Sequence, residues 1–191
     1  MKKPCGGNMH KKRKSAVVVD FDNTLFFTDR CAVAAAKEIT GKPMTIESIR
    51  ALPKKKKHEI YRLGFAKYYR FSKPNLKMID RLSRISNNPE TGKIILLSAK
   101  PIADRERIQS LLDSQGVRID SFIFRPKKYL FKHDEEWKLS KMEKLSEKYD
   151  TIDIYEDKAD NISHIRDGLG SDKAKYFLVS KNSIRQLYKS G

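Results

Sequence analysis

The sequence predicts an α/β domain built on a five-stranded parallel sheet, and three observations carry that prediction. Five short apolar runs alternate with helical stretches, one connection is far longer than a crossover helix needs, and a coherent set of polar residues follows the runs directly. The runs are Ala16 to Val19, Ile94 to Leu97, Ser121 to Phe124, Ile152 to Tyr155 and Tyr176 to Val179. Parallel strands cannot be joined by a tight turn, so the intervening helical stretches supply the crossovers.

The helix after the second run has Pro101 near its first turn, an apolar face of Ile108, Leu111 and Leu112, and Gly116 as its stop. The helix before the fourth run extends from about Asp134 to Tyr149, with Trp137, Leu139, Met142 and Leu145 as core contacts. Between the first two runs, Thr28 to Gly92 must hold extra structure. Its pieces read as helices over Asp29 to Ile39, closed by Gly41, Ile46 to Leu52, stopped by Pro53, Lys55 to Phe71, and Leu76 to Ile85. The last is the crossover helix, and the others make a small helical cap inserted after the first strand. The expected division is a basic flexible tail at 1–15, a core at 16–27 and 86–191, and an insertion at 28–85.

At 191 residues the chain suits one domain with a modest insertion. Cys5 and Cys31 cannot build a disulfide scaffold, and Cys5 with His10 lacks the further ligands of a zinc site. No apolar run is long enough for a membrane span or a signal peptide, so the expectation is a soluble, cytoplasmic protein with no membrane partner. The formal charge of +17 implies a field that gathers anions. The charge clusters at His10 to Lys14, Lys54 to Lys57 and Lys127-Lys128, which favours nucleic acid over scattered contacts, although a solvated Lys-rich surface has the same composition. Tyr61, Phe65, Tyr68, Tyr69 and Phe71 lie among Lys57, Arg62, Lys67 and Arg70, a mixture that suits base stacking beside phosphate-binding cations, or simply a cap core.

The first run ends in Asp20-Phe21-Asp22-Asn23-Thr24. Alternate strand residues share a face, so two carboxylates one residue apart can address one substrate where the strand stops. Such a pair offers a nucleophile toward phosphorus, a proton donor and a magnesium anchor. A core strand running into a polar turn would also use Asp, Asn and Thr. In a parallel sheet ligands bind beyond the carboxyl ends of the strands. There the chain places Ser98-Ala99-Lys100 after the second run, Arg125 after the third, and Glu156-Asp157, with Asp160 and Asn161 one turn on, after the fourth. Taken singly, Ser98 could cap a helix and Glu156-Asp157 could be a solvated strand end.

With these residues, the stretch from Ala16 to Val179 resembles the haloacid-dehalogenase-like (HAD) superfamily of aspartate-dependent phosphohydrolases. The first motif, DxDx[TV], matches Asp20 to Thr24. The second, a Ser or Thr ending a strand, matches Ser98, and the fourth, an acidic pair followed by Asp or Asn, matches Glu156-Asp157 with Asn161. For the lysine of the third motif Lys138 is the choice, with Lys132 and Lys141 as competitors. Phe124-Arg125-Pro126 with Trp137-Lys138-Leu139, and Tyr155 to Lys158, look like the pattern of HAD domains in nucleic-acid repair, including polynucleotide 3′-phosphatases; the long insertion departs from it.

The resemblance implies a Rossmann-like three-layer sandwich with the first-motif strand at its centre. It further implies that Asp20 is the nucleophile that forms an aspartyl-phosphate and that Asp22 is the acid and base. Ser98 and Lys138 would hold the phosphoryl oxygens. Mg2+ would be bound by Asp20, the Asp22 carbonyl and Asp157, with Asn161, Asp160, Glu156 and Thr24 around them. The expected function is a magnesium-dependent phosphatase whose phosphorylated substrate is a nucleotide or nucleic-acid end. The alternatives are a sugar-phosphate phosphatase or phosphomutase, and a nucleic-acid-binding protein on an inactive HAD scaffold.

Overall fold

The β-branched run of β1 (Ser15–Val19) lies in the middle of a six-stranded sheet. It pairs in parallel with β4 (Lys93–Pro101) through Val17 and Ile94 and with β6 (Thr151–Glu156) through Val19 and Tyr155. The computed structural model describes residues 14–88, 91–126, 134–170 and 172–188. The basic tail up to position 13, Lys127-Lys128, Lys132 and His133 lie outside the described residues.

The sheet order is β5-β4-β1-β6-β7-β8, where β5 is Ser121–Arg125, β7 Ala174–Val179 and β8 Ile184–Leu187. The five expected strands run parallel, but the sheet has a sixth, because β8 turns back antiparallel on β7 after a tight turn in which Ser180 N donates to Ser183 O at 2.8 Å. Ile184-Arg185-Gln186-Leu187 is short and half-polar, as an edge strand can be, so it carries little apolar signal.

Residue alternation on β1 sorts the core into two faces. Val17 and Val19, with Ile94 and Leu96, pack against α4 (Leu76–Ser86) and α5 (Arg105–Asp113) through Met78, Leu82, Ile108 and Leu112. Ala16 and Val18, with Ile95 and Leu97, pack against α6 (Asp134–Ser146) and α7 (Ala159–Leu169) through Trp137, Met142, Ile162 and Ile165. This is the three-layer sandwich, and each fully buried Leu, Ile or Val in it contributes about 1.5–3 kcal/mol. The second strand is longer than its apolar run predicts: β4 continues past a register shift so that Pro101 pairs with Arg125. Ser98 therefore lies inside the strand, and Pro101 both ends it and precedes the 3-10 turn Ile102–Asp104 that leads into α5.

Between β1 and α4 the chain leaves and re-enters through a ribbon that the sequence did not announce, β2 (Phe26–Phe27) antiparallel to β3 (Lys73–Pro74). Three helices lie between them: α1 (Asp29–Thr40), α2 (Ile46–Arg50) and α3 (Lys54–Tyr68), the last followed by a 3-10 turn over Tyr69–Phe71. They share a small core of Ala32, Ala35, Ala36, Ile49 and Ile60. Gly41 closes α1 in the left-handed region at φ 69°, as the sequence predicts. Gly64 lets α3 approach α1 so closely that a Cβ there would lie 2.7 Å from the Cys31 carbonyl oxygen. Among the described residues no helix is long and apolar enough to cross a membrane.

Candidate active site

The chain diverges on either side of β1, toward β4 and β5 first and then toward β6 and β7, which opens a crevice at the carboxyl end of β1. Asp20 extends the strand by one bond, its N–H donating to Tyr155 O at 3.0 Å. The backbone then folds on itself, with Leu25 and Phe26 N–H donating to Phe21 O at 3.0 and 3.1 Å. Asn23 adopts φ 57°, a conformation that Asn tolerates better than most residues. Phe21, between the two aspartates, points the other way into the core and meets the Phe26 and Phe65 rings at 5.4 and 5.6 Å. Asp20 and Asp22 are thereby left on the crevice side, Asp20 buried and Asp22 partly exposed.

Around Asp20 the ends of β1 and β6 and the helix α6 bring four charged side chains together. Lys138, from α6, places Nζ 2.8 Å from Asp20 Oδ1 and 2.5 Å from Glu156 Oε2. One carboxylate oxygen from each of Asp20, Glu156 and Asp157 lies within 4.8 Å of the other two. Thr24 Oγ1 donates to Asp20 Oδ2 at 3.3 Å, and Asn161 Nδ2 donates to Glu156 Oε1 at 3.1 Å. Asp160 sits exposed in the first turn of α7.

One buried cation facing three carboxylates leaves negative charge uncompensated, and the proton affinities follow. Burial, assisted by Glu156 and Asp22 against the pull of Lys138, raises Asp20 to about 7. Burial with the charges of Asp20 and Glu156 raises Asp157 to about 8. Glu156 goes the other way, since Lys138 outweighs its burial and holds it below the carboxylate range. Burial also disfavours the Lys138 ammonium, but Asp20 and Glu156 overcome this and raise it. An all-oxygen donor set short of positive charge fits a hard divalent cation.

On the other side of the crevice, Asp22 Oδ1 accepts from Thr28 Oγ1 at 2.6 Å and pairs with Lys100 Nζ at 3.0 Å. Lys100 comes from the end of β4, where its backbone N–H donates to the fully buried Ser98 Oγ at 3.2 Å. Asn75, also buried, donates from Nδ2 to Thr24 O at 3.1 Å and thus braces the loop that carries both aspartates. At the crevice edge Arg125 pairs with Asp134 and lies over the Trp137 ring, 6.0 Å from its centroid.

The structure thus gathers Asp20, Thr24, Lys138, Glu156, Asp157 and Asn161 in one cluster, while Asp22 pairs with Lys100 and Thr28. Of the lysines weighed for the third motif, Lys138 is the one in contact with Asp20, Lys141 lies a turn further along α6, and Lys132 is outside the described residues. Glu156, expected around the metal ligands, stands inside the acid cluster itself. Sequence reading missed Thr28 and Asn75, because both reach the site through the unannounced ribbon. Lys100 and Asp22 were each visible at a strand end, but their pairing was not.

The sequence matches no family model and no curated protein. Its structure does match solved ones. A provisionally assigned beta-phosphoglucomutase from Thermotoga maritima aligns over 84% of this chain and 83% of its own, with 19% identity and a TM-score of 0.55. A chain of a Pnkp1/Rnl/Hen1 complex aligns over 89% of this chain but 47% of its own, with 16% identity and a TM-score of 0.57. A HAD-superfamily hydrolase from Ehrlichia chaffeensis aligns over 90% of both chains, with 15% identity and a TM-score of 0.50. With β1 central and the acidic loop at its carboxyl end, the chain has a haloacid-dehalogenase-like fold.

Proposed function

We propose that the protein is a divalent-cation-dependent phosphomonoesterase that works through an aspartyl-phosphate on Asp20, with a nucleotide or nucleic-acid phosphate end as substrate. The observation that carries this reading is the Lys138 ammonium, 2.8 Å from Asp20, within a cluster of carboxylates at the end of the central strand. Asp20 Oδ attacks phosphorus and the ester oxygen departs, taking a proton from Asp22. Asp22 then removes a proton from the water that hydrolyses the acyl phosphate, which returns Asp20 and releases inorganic phosphate. Ser98 and Lys138 hold phosphoryl oxygens as charge builds on them. Asp20, Asp157 and the Asp22 carbonyl are the groups that would hold Mg2+, and the ion when bound would offset the charge of the nucleophile and the phosphoryl group.

The nucleic-acid part of the reading is supported by the formal charge of +17 and by the arginine-proline and tryptophan-lysine pattern around Arg125 and Lys138. A second reading, a sugar-phosphate phosphatase or phosphomutase, is favoured by the insertion that abuts the crevice, where Lys100 Nζ lies 3.7 Å from the Phe65 ring centroid. Phosphate release from 3′- and 5′-phosphorylated oligonucleotides, nucleotides, sugar phosphates and an aryl phosphate, with and without Mg2+, separates the readings. Preference for oligonucleotide ends with loss of all turnover in Asp20→Asn is expected. Preference for sugar phosphates would move the substrate class, and salt-sensitive oligonucleotide binding without any release would leave a binding protein on this scaffold.

A further inference from the structure

We propose that an open depression on the insertion, beside the ribbon that leads away from the acidic loop, is a binding subsite for a single-stranded nucleic-acid segment flanking the phosphate end. This rests on the nucleic-acid reading above. The depression has a volume of about 470 Å3 and is lined by Arg30, Arg70, Phe71, Ser72 and Lys73. That volume suits a nucleotide-sized ligand.

Its described lining holds no acid. The nearest carboxylate in sequence, Asp29, is turned to Arg50 at 3.2 Å and to Asn23 at 3.5 Å. Arg30, Arg70 and Lys73 are exposed, and among the described residues Arg70 meets no carboxylate: it donates to the Tyr69 hydroxyl at 3.4 Å and lies over the same ring, 5.9 Å from its centroid. Three cations left facing one hollow repel one another, and a polyanion relieves that repulsion. A second cavity of about 450 Å3, between α4 and the β7–β8 edge, is different in kind: there Asp80 takes Arg84 at 2.7 Å and Arg81 donates to the Tyr155 hydroxyl at 3.3 Å.

Phe71 supplies what a simple anion site would not need. It is 53% exposed, set beside the Tyr68 ring at 5.5 Å, and presents an apolar ring among cations. A ring next to phosphate-seeking side chains is the arrangement that binds successive bases and phosphates of a single strand. The placement also fits. Arg30 is two residues beyond Thr28, the residue that holds Asp22, and Lys73 pairs with Phe27 on the ribbon whose other member, Phe26, bridges to Asp22. A strand whose end phosphate met Asp20 would run along this ribbon into the depression.

The test is the binding of unphosphorylated fluorescent dT12 and rU12 oligonucleotides to the full-length chain, by anisotropy across a KCl series. Phe71→Ala should weaken binding about 5-fold or more with the salt slope kept, and Phe71→Trp should restore it. Arg30→Gln, Arg70→Gln and Lys73→Gln together should make the log-log salt slope shallower by about 2. A control triple at exposed Lys144, Lys148 and Lys175 should change it less. Equal loss in the control triple, or no loss in Phe71→Ala with an unchanged melting curve, overturns the proposal. Because no phosphate is released in this assay, the outcome is separate from the phosphatase reading: catalysis with unchanged binding would sink only the subsite, and altered binding without catalysis would sink only the enzyme.

Discussion

Lys100 joins the insertion to the acidic loop, with its Nζ 3.0 Å from Asp22 Oδ1 and 3.7 Å from the centroid of the Phe65 ring on α3. An ammonium held between a carboxylate and a ring face has little freedom, so the orientation of Asp22 depends on a contact from outside the sheet. Lys100→Met, which keeps the stem and drops the charge, should lower kcat on an aryl phosphate about 10-fold or more, a part of what a general acid supplies. Phe65→Leu, which keeps the apolar volume but removes the ring, should cost less, about 2- to 5-fold. Steady-state kinetics with circular dichroism as the control for folding checks both, and an unaltered kcat in Lys100→Met would show that Asp22 orients itself without the lysine.

Lys138 is almost entirely buried and bonds two buried carboxylates, so its removal leaves unpaired charge in the core. Lys138→Met should destabilise the metal-free protein by about 3–5 kcal/mol. Adding Glu156→Gln removes one orphaned charge, and the double variant should be more stable than Lys138→Met alone. Urea melts in EDTA measure the difference. A double variant that melts before the single one would mean that packing, and not charge, holds this site.

What the sequence could reveal divides along range of interaction. Val17, Val18 and Val19 followed by Asp20 announce a buried strand and the acidic loop at its end because strand and loop are contiguous. Lys138 is identified through the resemblance of Trp137-Lys138-Leu139 to the family's third motif, and its contact with Asp20 is visible only in the fold. The two-residue strands Phe26–Phe27 and Lys73–Pro74 are too short to leave a periodic signal, and only pairing across the whole insertion creates them. Thr28 and Asn75 went unrecognised for that reason, and β8 because its adjacent Arg185 and Gln186 break any strand alternation and look like an exposed turn.

Asn75 gives that unseen ribbon its energetic weight. It is 1% exposed, donates from Nδ2 to Thr24 O at 3.1 Å and to Ser180 O at 3.3 Å, and donates its backbone N–H to Leu25 O at 2.8 Å. Asn75→Leu keeps the bulk but leaves two carbonyls without their donor, at a cost of about 1–3 kcal/mol. Thr24 bonds Asp20, so slackening this brace should also lower kcat more than it changes KM. Thermal melts and kinetics on the same preparation check the pair of effects, and lost stability with kcat intact would confine Asn75 to the scaffold.

The acid cluster should make stability depend on pH and on divalent metal together. Asp20 and Asp157 stand at about 7 and about 8 in the folded chain against an ordinary value of 3.8. Between pH 4 and those values the folded protein keeps protons that the unfolded chain has released, so stability is greatest at low pH and falls as pH rises through that window. Glu156, held low by Lys138, acts in the opposite sense and loses its contribution as pH drops below the carboxylate range. In EDTA the urea midpoint should therefore be lower at pH 8 than at pH 5. Mg2+ held by these oxygens would compete with protons for them, so it should raise the midpoint at pH 8 and do little at pH 5. Asp157→Asn should flatten the pH dependence and remove most of the Mg2+ effect. A midpoint in EDTA that rises from pH 5 to pH 8 would mean that Lys138 alone satisfies the cluster, and a cation would then have no deficit of charge to fill.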